Sequence, residues 1–216
     1  MMCCYDQNNY LNHLSVEKQM RKILAAIMLM TTFTVWAGDF EDGVAAYDRK
    51  DYATAVAKFT SAAEQGLAAA QFNLGIMYDT GLGVAQDYVQ AVRLYKLAAA
   101  QDYARAQYIL GLMYRNGQGV AQDYAEAVRW YKLAAAQGNE KAQFNLGVMF
   151  ANGLGVAQDY TEALRLYRLA AEQGVDRAQY NLALMYDTGQ GVAQDYAQAV
   201  RWYKLAAEQG FGAAQY

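Results

Sequence analysis

Residues 70–105 read AQFNLGIMYDTGLGVAQDYVQAVRLYKLAAAQDYAR, and residues 142–177 read AQFNLGVMFANGLGVAQDYTEALRLYRLAAEQGVDR. The two stretches are near copies, and further copies of the same length begin at Ala106 and Ala178, the last ending at Ala213. A repeat of 36 residues is the signature of a stacked array, and it organises every other feature of the chain. Within each copy, apolar residues recur at helical spacing twice. One helix is predicted from about Ala70 to Tyr78, burying Leu74, Met77 and Tyr78. A second runs from about Tyr88 to Ala100, with Tyr88, Ala91, Val92, Tyr95 and Ala99 on one stripe, widened by Leu94, Leu97 and Ala98. A helix that apolar needs neighbours on more than one side, which a stack of similar units supplies.

The boundaries are chemical. Asp87, Asp123, Asp159 and Asp195 precede the second helix, each followed three residues later by Gln90, Glu126, Glu162 or Gln198. That is capping-box spacing, in which the Asp accepts a first-turn amide and the Gln or Glu returns to the cap's own amide. Gly66, Gly138, Gly174 and Gly210 stand where a left-handed residue ends the second helix, and Asp102 replaces glycine at the remaining junction, a source of strain. Gly75, Gly111 and Gly147, with Ala183 in the same column, are expected to let backbones approach closely.

A weaker copy precedes the four, because Tyr52-Ala53-Thr54-Ala55-Val56 matches Tyr88-Val89-Gln90-Ala91-Val92 across a shorter loop. Residues 38–69 therefore read as an N-terminal helix pair, 70–213 as four full repeats and 214–216 as the start of another. A longer period is superimposed. Leu94, Trp130, Leu166 and Trp202 alternate, and so do Phe72, Tyr108, Phe144, Tyr180 and Leu82, Gln118, Leu154, Gln190, as duplication of a 72-residue unit would produce.

Ahead of the repeats, Met20-Arg21-Lys22 opens an uncharged, mostly apolar stretch from Ile23 to Val35-Trp36-Ala37. That order is the anatomy of a secretory signal, with Met20 as the expected start and cleavage after Ala37. The stretch is short for a membrane span, so stable insertion after cleavage is not expected, and an uncleaved anchor is the lesser alternative. A periplasmic or secreted location in a bacterial envelope follows as an expectation. The mature chain then loses Cys3, Cys4 and His13 and retains neither residue type.

The pattern A-x-x-x-L-G-x-M-Y-x-x-G-x-G-V-x-x-D-Y-x-x-A-x-x-x-Y-x-x-A-A-x-x-G resembles the Sel-one-like repeat family, relatives of the tetratricopeptide repeats. The resemblance implies an all-α fold, a right-handed α/α superhelical solenoid with a concave surface lined by the first helices. It also implies a scaffold that recruits protein partners, in bacteria often an exported one. Some secreted members bridge their helices with cysteine pairs, which this chain lacks after residue 37.

Composition narrows the function classes. Without His or Cys and with Ser61 as its one serine, the mature chain has no nucleophile–base set. Metal ligands of the zinc type are missing for the same reason, so no cofactor or metal is expected. The formal net charge of -3 and the lack of a Lys/Arg run exclude a nucleic-acid footprint. Gly81/Gly83 and their copies lack the lysine of a phosphate loop and precede an aspartate, so they read as turns. A carboxylate-dependent envelope glycan hydrolase is the rival reading, although the recurring acids already serve as caps. Trp130 and Trp202 read as packed, with an exposed indole as an alternative anchor.

Partner-binding candidates are the first-helix positions that vary among copies: Asn73, Ile109, Asn145 and Asn181, with Asp79, Arg115 and Asp187 in the row that also holds Ala151. A protein or peptide is the expected partner. Self-association through the last repeat, which has no evident polar cap, is a further expectation.

Overall fold

The computed structural model describes residues 38–211, which form ten helices and no strand. The expected leader and the fragment at 214–216 lie outside the described residues. The helices are α1 (38–48), α2 (Tyr52–Glu64), α3 (Ala68–Thr80), α4 (Tyr88–Ala99) and α5 (Ala104–Asn116). They continue as α6 (Tyr124–Ala136), α7 (Glu140–Asn152), α8 (Tyr160–Glu172), α9 (Asp176–Thr188) and α10 (Tyr196–Glu208). Each helix packs on the next in sequence, giving an all-α solenoid of five pairs. Among the described residues no helix is long and apolar enough to cross a membrane.

The first helix of each full repeat starts two residues earlier than Ala70 and its equivalents. Leu67, Tyr103, Asn139 and Val175 are extended residues that follow the left-handed position, and the helix begins directly after them. Asp102 does adopt the left-handed conformation, at φ 59°, where Gly66, Gly138, Gly174 and Gly210 lie between 83° and 91°.

Half of the capping box forms. The Asp87 carboxylate accepts from the amides of Val89 and Gln90 at 2.9 and 3.0 Å; Asp123 and Asp195 do the same, and Asp159 accepts from Glu162 alone. The return half does not form, because the cap's own amide already donates to the end of the preceding helix. Asp87 N–H reaches the Tyr78 carbonyl at 2.9 Å, and Asp159 N–H reaches that of Phe150 at 3.0 Å. Glu126 and Glu162 are thereby released to pair with Arg129 and Arg165 at 3.0 and 2.6 Å.

The glycine column in the first helices faces a ring rather than a backbone. A β-carbon on Gly75 would stand 2.7 Å from the Tyr95 ring, and one on Gly147 would stand 2.8 Å from that of Tyr167. The second glycine of each loop does meet main chain. Gly83, at φ 75°, would place a β-carbon 2.6 Å from the carbonyl oxygen of Tyr52, so the loop rests on the start of the previous pair's second helix.

The cores straddle the repeat boundaries. One forms between α4 and α5 from Val92, Tyr95, Leu110 and Met113, and is closed by Trp130 from α6. Another forms between α6 and α7 and is closed by Leu166 from α8. Leu94 and Trp202 close the other two. Where the plug is leucine, the loop residue Leu82 or Leu154 packs into the same core; where it is tryptophan, the loop residues Gln118 and Gln190 are exposed. The alternation thus conserves core volume, which a close-packed interior requires. Both tryptophans are 9% exposed, so neither is a free anchor. Leu97, expected on the buried stripe, instead emerges 45% exposed, as do its copies Leu133 and Leu169 at 41% and 36%.

A glutamine ladder had no sequence signal beyond recurrence. Gln107, 1% exposed, donates to the Ala99 carbonyl at 3.3 Å and accepts from Gln137 at 2.8 Å. Gln71, Gln143 and Gln179 repeat both bonds with their own neighbours. Buried polar groups must be satisfied, and this column satisfies itself while tying three helices together.

Candidate partner-binding surface

Across a repeat boundary α5 touches α7, whereas between α6 and α8 an open groove of about 470 Å³ remains. The first-helix side is therefore the inner side of the stack. On it Ile76, Leu112, Val148 and Leu184 form a partly exposed aliphatic row, flanked by the position of Asn73, Ile109, Asn145 and Asn181. One turn nearer the N-terminus of each helix the same face carries Arg105, Lys141 and Arg177, all exposed. At the N-terminal end, Val44, Tyr47, Phe59, Asn73 and Ile76 line an apolar hollow of about 170 Å³ between α1 and α3.

The sequence-predicted residues fall into two groups. Asn73, Ile109, Asn181, Asp79, Arg115 and Asp187 are half-buried on this inner side. Asn145, expected on an open face, is only 8% exposed. Its amide donates to the Lys141 carbonyl at 2.9 Å, and its side-chain oxygen accepts from Arg115 Nη1 at 3.1 Å. Asn145 therefore holds Arg115 across the repeat boundary and is a positioning residue.

Sequence reasoning missed the tyrosine hydroxyls. Tyr95, Tyr131 and Tyr167 were assigned to the core by their helical spacing, and their rings are buried there. Their hydroxyl ends nevertheless point at the variable row, because the column glycine and the row residue lie one turn apart on the same helix face. Asp79 stands beside the Tyr95 hydroxyl. Burial raises the Asp79 carboxyl above its ordinary value, with Tyr95 pulling the other way. Asn181 stands beside Tyr167, whose hydroxyl burial pushes up to about 12. Tyr108 neighbours Asn145 and is raised by burial, with Arg115 nearby opposing. Tyr131 is raised mainly by burial, again opposed by Arg115. The buried Tyr131 hydroxyl has no hydrogen-bond partner.

Chemically this surface offers hydrogen-bond donors, one acid–phenol pair and a cation. Among the described residues no three of His, Cys, Asp and Glu gather as a metal site would need.

The family model of the Sel1 repeat matches residues 68–103, 104–139, 140–175 and 176–211. Its frame coincides with the helix starts. Among solved structures, a Sel1 repeat protein from Oxalobacter formigenes is 40% identical with a TM-score of 0.78, over 82% of this chain and 72% of that one. A protective antigen present in uropathogenic Escherichia coli strains, displaying the same repeat fold, is 38% identical with a TM-score of 0.81, over 83% of this chain but 39% of its own length. An immunity protein from Pseudomonas aeruginosa is 26% identical with a TM-score of 0.51, over 80% of this chain and 67% of that one. No curated protein matches the chain.

Proposed function

The chain belongs to the Sel1 repeat family, whose members generally mediate protein–protein interaction, and from that premise we propose that it is an exported adaptor recruiting a protein or peptide on its inner surface. The observation that carries the proposal is the variable row itself. Positions 79, 115, 151 and 187 hold Asp, Arg, Ala and Asp on an otherwise repeated scaffold, and they face one surface with an apolar hollow at its end. Apolar floor with a few oriented polar groups is the composition of recognition surfaces. Export is supported by the basic start and apolar run between Met20 and Ala37. An envelope or host-facing role fits the description of the Escherichia coli relative as a protective antigen.

The test is affinity capture from envelope extract with the exported chain beside a variant carrying Arg115→Glu and Asn73→Ala. A protein retained by the parent and lost by an equally helical variant is expected. Equal retention by both would refute the inner-surface assignment, and a cytoplasmic chain with an intact N-terminus would refute export.

A second reading, self-association, has its own observation. Tyr196 and Val200 on α10 are 63% and 51% exposed, whereas Val128 at the equivalent position is 5% exposed beneath the following pair.

A further inference from the structure

Repeats of one chain serve as controls for one another, and the second-helix side of the stack differs between them beneath one arginine. In the second full repeat Glu126 binds Arg129 at 3.0 Å, and the Arg129 guanidinium lies over the Trp130 ring at 4.4 Å. The Arg129 side chain is 56% exposed, so the part of the indole beneath it comes to the surface of the stack. Arg201 lies over Trp202 in the same sense, at 5.5 Å. In the third repeat Glu162 binds Arg165 at 2.6 Å and the Arg165 side chain is 59% exposed, but the next residue is Leu166. Among the described residues no ring lies beneath Arg165. Leu154 restores volume to that core without lining the groove between α6 and α8, whereas Leu166 and Arg165 both line it. The groove holds about 470 Å³, ample for one indole. Buried Leu146 and Leu166 and exposed Leu169 give it an apolar lining, and Lys132 and Arg165 outnumber Glu162 along it.

We propose that the groove between α6 and α8 takes a tryptophan side chain of a partner protein, seated under Arg165 as Trp130 is seated under Arg129. The leucines supply the apolar contact that anchors an indole. Arg165, held in place by Glu162, sets a cation on the electron-rich face of the ring, and the surplus positive charge of the groove complements that face. The groove lies on the second-helix side of the stack, away from the variable row. The inference therefore goes beyond the inner-surface reading and gives the chain a second contact face.

The experiment is titration of the full chain with N-acetyl-tryptophan amide, observed at the leucine methyl resonances, with N-acetyl-leucine amide as the control. The Leu146 and Leu169 methyls are expected to move and to saturate with the indole, because a seated ring carries a ring current, and not with the leucine amide. Arg165→Gln should weaken that binding about threefold, as loss of one exposed cation–π contact implies. Leu166→Trp combined with Leu154→Gln, the pair of residue types that the second and fourth repeats carry, should abolish it by filling the groove from within. If that double variant does not fold, Arg165→Gln decides alone, since it alters an exposed side chain. Equal response to the leucine amide, unchanged affinity in Arg165→Gln, binding retained by the folded double variant, or no saturable shift up to about 10 mM would overturn the proposal. Methyl shifts that grow with chain concentration in the absence of the indole would give the groove to a second copy and overturn it too. None of these outcomes bears on the inner surface, which Arg115→Glu and Asn73→Ala test separately.

Discussion

Asp102 and Gly138 occupy one structural position and differ in one respect that matters. Both end a second helix with positive φ, 59° and 84°, and only glycine reaches that region without a steric cost. Aspartate tolerates it better than most residues, so the cost lies at the low end of the range for strained backbone. Asp102→Gly should raise stability by about 0.5–1 kcal/mol, and Gly138→Asp should lower it by about 1 kcal/mol, read as opposite shifts in urea midpoint. Shifts of one sign would mean that surface charge, not backbone conformation, governs these junctions. The position of glycine and its exception were legible in the sequence, since both are consequences of local backbone geometry. Asn145 was not. Its burial results from Arg115 reaching across from the previous repeat, 30 residues away, and no local pattern encodes that reach.

Two residues from different elements set each core volume. Trp130 reaches into the core between α4 and α5, and the loop residue Gln118 is left in solvent. Leu166 fills the corresponding place less fully, and Leu154 completes it. Trp130→Leu should therefore open a cavity costing about 2–4 kcal/mol. Adding Gln118→Leu should recover a substantial part, because it rebuilds the leucine pair that neighbouring repeats already use. Urea denaturation of the two single variants and the double variant checks this, with additive effects as the refuting result. The alternation was visible in the sequence and read as duplication. Its physical content became visible only when the plug and the loop residue were found in one core. The capping aspartates divide in the same way: their carboxylate bonds follow from spacing, whereas the competing bond of their amides depends on how the loop folds back onto the preceding helix.

In a solenoid each pair contacts its neighbours, so stability is close to a sum of pair and interface contributions, and the ends differ from the middle. The last described helix, α10, has an exposed apolar face. Val200 is 51% exposed where Val92 and Val128 are 4% and 5%, and an apolar surface of this kind is stabilised by covering it. Light scattering on the chain should show a mass that grows with concentration, and Val200→Asp should hold it at one chain. A mass independent of concentration in the parent would end the self-association reading. The inner surface is likewise a property of the whole stack, since it is built from first helices drawn from different repeats.

By itself the sequence determined the class of fold, the recurrence of paired helices, the aspartate half of their caps and the family, because all of these depend on interactions within about one helical turn or on recurrence. The tertiary structure decided which columns are plugs and which face solvent, that the cores lie across repeat boundaries, and that the tyrosine hydroxyls emerge beside the variable row. Those outcomes depend on atoms brought together from distant residues, 14 positions apart for Tyr167 and Asn181 and 38 for Val92 and Trp130. A periodic pattern reports that such a residue recurs, but not which neighbour it meets. At Arg115 and Tyr131 the distinction matters most: sequence marked the arginine as variable and the tyrosine as core, and only packing tied the arginine to Asn145 and left the hydroxyl buried without a partner.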